Sequence, residues 1–294
     1  MSHNGGSVDD VRLRRVAVGV GFTEGPVIAQ DCQLVFVSID HRAVYRVDRS
    51  GAGLGRLALL GGGPNGLAEL GDGSFVVAQN GGYWPAPGLD GTGSGVQQVF
   101  PDGTARWVSR EMDAPNDVCV GPDGFAYVTD PTRTGSRDSG RIWRCDVTSG
   151  RATLLAEVPW YPNGIGFGLD DDLLHVADTH GARVVTMPLR GGSLGTERTL
   201  FETWPLRPDG FAFDANGDLF LGTVGPHDGQ PGELQYWTRD GELRDRMRVG
   251  EGRFCTNVAL GVDGSLMVTV SDEGAVLYGG GQFPAGLALH PFRA

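Results

Sequence analysis

The sequence predicts an all-β protein, a six-bladed β-propeller built from four-stranded antiparallel blades. Three observations lead to that class. One phrase recurs six times: an Asn or acidic residue, an apolar alternation, a tight turn and a second strand. Its leading residues are Glu24, Asn65, Asn116, Asn163, Asp209 and Asn257, and they stand 41 to 51 residues apart. The chain is also rich in glycine (49) and proline (17) without any low-complexity run, which suits many short strands joined by tight turns. A fixed period of this length marks a radial repeat of one supersecondary unit. A sandwich would also alternate short strands with turns, but it gives no reason for one phrase to return six times.

The elements follow in order. VRLRRVAVG reads as a strand ahead of the first unit. Each unit opens on a first strand (TEGPVIAQ, PNGLAEL, PNDVCVG, PNGIGFG, PDGFAFD, TNVALGV), and a turn leads to a second, as in GDGSFVVAQ or ANGDLFLGT. Third strands such as AVYRVDRSG and RIWRCDVTSG come next, then weaker fourth strands such as GRLALL and ATLLAEV. The sixth unit has no evident fourth strand before the chain reaches FPAGLALHPFRA. An open blade edge would leave backbone groups unpaired, so residues 11–19 are expected to complete that blade and close the ring. Residues 1–294 are then one propeller domain, with 1–10 a flexible tail. The segment GGYWPAPGLDGTGSG, residues 81–95, lengthens a loop of the second unit.

Charge and composition narrow the function. A net charge of −12 argues against nucleic acid and anionic membrane as partners, leaving a small-molecule substrate. All 24 basic residues are Arg, so Schiff-base chemistry on a lysine is excluded. No run of the chain is long and apolar enough for a membrane helix, and the N-terminus shows no signal-peptide core, so a cytoplasmic location is expected. Cys32, Cys119, Cys145 and Cys255 lack CxxC spacing and read as reduced structural thiols. Ser271–Asp272 has no GxSxG context for a serine nucleophile.

In a propeller the first strand of every blade lines the central channel, so the six leading residues should converge at one mouth. They either cap the entrance to each first strand or bind something there. PDG at 101–103 and 122–124 reads as plain hairpin; Asp209 differs by its place in the repeat. Glu24 and Asp209 supply two charges, and Asn116 and Asn163 supply neutral carbonyl oxygens. Such an all-oxygen set suits a hard divalent cation, Ca²⁺ first, with Mg²⁺, Mn²⁺ or Zn²⁺ as alternatives.

The order FTEGP (22–26), PND (115–117), PNG (162–164) followed by VADT, and PDG (208–210) resembles the SMP-30/gluconolactonase family, including regucalcin-type proteins. The resemblance spans nearly the whole chain. It implies a six-bladed propeller holding one catalytic divalent cation, with Glu24, Asn163 and Asp209 as metal ligands. Asn116 falls on a position that ligates metal in some members and contacts substrate in others. The implied activity is divalent-metal-dependent hydrolysis of a lactone to its hydroxy acid. The cation would polarise the carbonyl, Asp209 or another nearby carboxylate would take a proton from water, and Asn116, counted with Asp209 as catalytic, would hold either the metal or the substrate. Metal-dependent hydrolysis or isomerisation of another substrate, such as a phosphotriester, is the second reading. A non-enzymatic calcium-binding propeller is the third. Asn65, Tyr83, Trp84, Arg133, Tyr161, His180, His227 and Asn257 are the candidate substrate contacts, and His180, His227 and His290 are candidate proton shuttles. The aromatic members suggest a substrate less polar than a simple sugar lactone.

Overall fold

Every first hairpin turns on the same local device. Asp31, Asp72, Asp123, Asp170, Asp214 and Asp263 each accept, at Oδ1, the amide hydrogen of the residue two places on. This side-chain mimic of a backbone turn is why Asp recurs in the phrase at a point that carries no chemistry. The computed structural model describes residues 13–82, 91–132, 139–226 and 229–290.

Six antiparallel sheets result. The first contains β2 (Thr23–Ile28), β3 (Leu34–Ser38), β4 (Ala43–Val47) and β5 (Gly55–Leu59). The second contains β6 (Pro64–Glu69), β7 (Phe75–Gln79), β8 (Gly95–Val99) and β9 (Ala105–Ser109). The third runs β10 (Val118–Val120), β11 (Ala126–Pro131), β12 (Gly140–Cys145) and β13 (Ala152–Val158). In the fourth, β14 (Pro162–Phe167), β15 (Leu173–Asp178) and β16 (Arg183–Arg190) are followed by a split outer edge, β17 (Ser193–Leu194) and β18 (Arg198–Glu202), both paired to β16. The fifth has β19 (Arg207–Phe213), β20 (Leu219–Val224), β21 (Leu234–Trp237) and β22 (Leu243–Met247). The sixth has β23 (Cys255–Leu260), β24 (Leu266–Val270) and β25 (Ala275–Gly279), completed by β1 (Arg14–Val18). The six-bladed propeller read from the repeat is therefore the fold, and the N-terminal strand closes the ring as expected. Among the described residues helix is confined to one 3-10 turn, Ser271–Glu273.

The second strands are buried on both faces, so they read as unbroken apolar runs such as FVVAQ. Val76 and Ala78 pack toward the third blade, while Phe75 and Val77 pack toward the first. The same division repeats around the ring, giving one apolar cluster per blade interface. Val16 and Ala17 of β1 join Leu34, Phe36, Met267 and Val276, so the closing strand is held by packing as well as by pairing. Each large side chain buried this way contributes roughly 1.5–3 kcal/mol of transfer free energy.

The innermost strands touch in sequence: β2 with β6, β6 with β10, β10 with β14, β14 with β19, β19 with β23, and β23 with β2. At their turn ends the C-terminal segment passes beneath the channel. Phe283 and Gly286 bond back to the turn of the sixth blade, while Ala285 and Leu287 bond to the fifth. His290 Nε2 reaches Asp171 Oδ1 of the fourth blade at 3.1 Å. With the first strands this segment encloses a cavity of about 120 Å³, floored by Leu287, Leu289 and His290. The ring of leading residues lies at the opposite end of the channel.

Candidate metal centre and channel mouth

Pairing fixes which residues are equivalent. Ile28 pairs with Leu34, Glu69 with Phe75, Val120 with Ala126, Phe167 with Leu174, Phe213 with Leu219 and Leu260 with Leu266. Four residues upstream of each inner partner stand Glu24, Asn65, Asn116, Asn163, Asp209 and Thr256. The sixth position of the ring is thus Thr256, and the expectation that Asn257 occupies it is corrected by one residue. TNV and PND look alike in sequence, but only the strand pairing shows that Asn257 matches Asp117. At this next position the other blades carry Gly25, Gly66, Gly164 and Gly210.

The ring residues lie at a break in strand pairing. The register slips between Glu24 and Val27, Pro64 and Leu67, Pro162 and Ile165, and Pro208 and Phe211. A bulge of this kind re-aims side chains out of the sheet plane, here toward the axis. The contrast with PDG at 101–103 and 122–124 is direct: Gly103 and Gly124 adopt positive φ in hairpin turns, whereas Gly210 does not. Gly66, Gly164 and Gly210, none at positive φ, serve close approach instead. A Cβ on Gly66 would lie 2.6 Å from the Asp117 Cα, and one on Gly210 would lie 2.0 Å from the Asn257 amide carbon.

Three carboxyl groups meet here from alternate blades: Glu24, Asp117 and Asp209. All are nearly buried, and among the described residues no Arg or His pairs with any of them. Burial and the Asp117 charge push the Glu24 carboxyl up to about 8. Burial raises Asp117 to about 6, and burial with the Glu24 and Asp117 charges raises Asp209 well above the carboxylate range. Such a cluster is costly unless a cation neutralises it. Among the described residues no three acidic, His or Cys side chains close on one point, so any cation site here is mixed, with amide oxygens completing it.

The amides are not equivalent. Asn257 commits its Oδ1 to the Val258 amide hydrogen at 2.8 Å and turns Nδ2 toward Glu24 Oε2 at 3.4 Å and toward Asp117. It therefore offers the acids a donor, not a metal an oxygen. Asn163 donates from Nδ2 to Thr179 Oγ1 at 3.1 Å and its side chain lies next to Asp209, while Oδ1 makes no hydrogen bond among the described residues. Asn65 and Asn116 are buried, and their side-chain amides make no hydrogen bond among the described residues. Glu24, Asn116, Asn163 and Asp209 are thus the residues able to hold a hard cation, with Asp117 and Asn257 beneath them.

Two residues above each ring position stand Phe22, Gly63, Ala114, Tyr161, Arg207 and Phe254. Phe22, Gly63, Tyr161 and Phe254 are matched by the backbone bonds that their carbonyls accept from the second-strand side of the blade. Phe22 and Phe254 meet edge to face at 5.6 Å, and Tyr161 lies 4.6 Å from the His180 ring. Tyr161 and His180 therefore stand together, Tyr161 being two residues along the chain from Asn163. Tyr83, Trp84, Arg133 and His227 lie outside the described residues. His290 is at the opposite end of the channel. Asp117, Thr179, Thr256, Phe22 and Phe254 escaped the sequence reading; for Asp117 the available signal was a second acceptor inside PND.

Comparison with known proteins bears on this arrangement. The model for the SMP-30/Gluconolactonase/LRE-like region matches residues 22–272. No curated protein matches the sequence. Among solved structures, a gluconolactonase of Xanthomonas campestris is 21% identical, with 92% of this chain and 89% of that chain covered and a TM-score of 0.74. A calcium-binding regucalcin of Agrobacterium tumefaciens is 19% identical over 95% and 98%, with a TM-score of 0.75. A luciferin-regenerating enzyme is 17% identical over 95% and 98%, with a TM-score of 0.76. At these identities the structural likeness is one of fold. The repeat, the closed six-bladed ring and the family match over most of the chain together show that this protein belongs to the SMP-30/Gluconolactonase/LRE-like family.

Proposed function

We propose that this protein is a divalent-metal-dependent hydrolase that opens a lactone to its hydroxy acid. The observation that carries the reading is the convergence of the buried Glu24 and Asp209 in the channel ring, with buried Asp117 directly beneath, and no cationic partner among the described residues. Support comes from the family, and from neighbours described as a gluconolactonase and as a calcium-binding protein. Glu24, Asn163 and Asp209 would hold the cation, with Asn116 either a fourth ligand or a contact to substrate. Ca²⁺ is the first choice for such oxygen donors, and Mg²⁺, Mn²⁺ and Zn²⁺ are the alternatives. When bound, the cation supplies Lewis-acid polarisation of the lactone carbonyl and offsets the charge of the ring.

The protein's own groups then divide the work. The lactone ring lies against Tyr161, Phe22 and Phe254, whose faces favour a substrate with apolar surface. Asp209 accepts a proton from the attacking water and returns it to the ring oxygen as the ester bond breaks, so the proton count balances. With the cation offsetting the ring charge, Asp209 is held as the carboxylate that a base requires. Asn257 and Asp117 close the site from below and keep bulk water on the mouth side. The free thiols at Cys32, Cys119, Cys145 and Cys255 suit a reducing compartment and support the expected cytoplasmic location.

The test follows acid release from a panel of sugar, aliphatic and aryl-substituted lactones, with chelator and then with each cation restored. Turnover should vanish with chelator, return with one ion and fall at least about a hundredfold in Asp209→Ala, the loss of a general base being worth about that much. Metal binding with no turnover on any lactone would move the assignment to phosphotriesters or to a calcium-binding role.

A further inference from the structure

The hydroxyl of Thr179 has one proton, and the structure shows where it goes. Thr179 Oγ1 lies 2.8 Å from the carbonyl oxygen of Pro208, which can only accept. Toward Asn163, 3.1 Å away, the same oxygen must therefore act as acceptor. The group of Asn163 that faces Thr179 is then necessarily the NH₂. The Asn163 side chain also lies next to Asp209. Oδ1 is left without a partner among the described residues, on a side chain that is 7% exposed.

We infer that Thr179 is a positioning residue that holds the Asn163 amide with its oxygen, not its nitrogen, turned to the cation of the channel ring. The inference rests on the metal-binding reading above. Without the hydroxyl, the amide is free to rotate about its last bond and present NH₂ to the cation. Thr179 also links two blades, because Asn163 belongs to β14 while Pro208 precedes Asp209 on β19. One hydroxyl thus sets the orientation of one ring residue and ties it to the backbone beside another. The VADT phrase of the fourth unit places Thr179 directly after β15, where its backbone amide bonds to the Tyr161 carbonyl at 3.2 Å. Partners behind a ligand commonly affect metal affinity by about 10–100-fold.

Calorimetric titration of the full chain, stripped with chelator and titrated with Ca²⁺, Mg²⁺, Mn²⁺ and Zn²⁺ in turn, tests this. Thr179→Val should weaken binding of the preferred cation by about tenfold or more, and Thr179→Ser should restore it to within about threefold. A second background separates orientation from structural damage. In Asn163→Asp both ends of the side chain are oxygens, so there is no wrong end to present and Thr179→Val should cost little there. Equal affinity of wild type and Thr179→Val overturns the role of Thr179 alone. Equal losses from Thr179→Val in the wild-type and Asn163→Asp backgrounds also overturn it, since that is the mark of general loosening. Failure of the wild type to bind any of the four cations removes the metal reading and this inference with it.

Discussion

At Gly164 a Cβ atom would lie 2.3 Å from the backbone carbonyl oxygen of Asp209. The glycine is there because β14 and β19 pass each other at backbone distance, and φ at this residue is not positive, so sterics alone exclude a side chain. Gly164→Ala should therefore cost about 3 kcal/mol, the upper range for overpacking, and should disturb Asp209 more than any surface change. Gly210→Ala meets the Asn257 side chain and not the backbone, so Gly210→Ala combined with Asn257→Gly should recover most of its loss. Denaturant midpoints of the three variants check both statements. The same scale shows how much of the site was legible beforehand. Glu24, Asn116, Asn163 and Asp209 are visible because a repeated phrase singles them out. Asp117 and Thr256 are not, because their status depends on pairing offsets that sequence similarity between PND and TNV blurs by one residue.

Among the elements, β15 carries a group that the proposed chemistry does not use. His175 is buried between the fourth and fifth blades, its ring 4.9 Å from Phe213 and its Nδ1 without a hydrogen-bond partner among the described residues. It pairs across β14 and β16 with Gly166 and Thr186, and Asp170 is the charged group that favours its protonated form. Burial outweighs Asp170 and pushes the imidazole down from 6.5 to about 4. The folded state therefore holds His175 neutral, while the unfolded chain protonates it below pH 6.5. Its contribution to stability is complete above that pH and is lost as the pH falls toward 4. At pH 5 the loss attributable to this residue is about 2 kcal/mol relative to about pH 7.5. Denaturation of wild type and His175→Phe at both pH values isolates it, because the ring carboxyls titrate in both proteins. Equal pH dependence in the two would show that His175 is not held neutral by its surroundings. LLHVAD in sequence announces a strand, and its continuous apolar character announces two buried faces. What it cannot announce is that the neighbour across the blade interface is Phe213 and not a carboxylate.

For the molecule as a whole, the closed ring brings like charges together. Glu24, Asp117 and Asp209 belong to the first, third and fifth blades, so their mutual repulsion acts across the axis that all six inner strands surround. The closure itself was legible in sequence, since a sixth unit lacking a fourth strand demands one from elsewhere, and β1 supplies it. The charge balance was legible only in part, because two acids were expected in the ring and a third stands directly beneath. Without a cation, folding must hold these groups partly protonated, and their folded-state proton affinities rise above the unfolded values. Carboxyls shifted upward stabilise the fold most below their unfolded values near 4 and lose that contribution as the pH rises through the folded ones, about 6 for Asp117 and about 8 for Glu24. The chelated protein should accordingly melt at lower temperature at about pH 8.5 than at about pH 6. A divalent cation at about 100 times its Kd should add about 2.7 kcal/mol at either pH, or roughly 4 °C in Tm for a chain of 294 residues. The cation-induced rise should require Asp209, so Asp209→Asn should show a smaller one, together with a flatter pH dependence in chelator. Melting curves at two pH values, with chelator and with each cation, read all of these effects. A Tm indifferent to every cation would mean that the three carboxyls are neutralised by shared protons, and that the channel ring holds no metal.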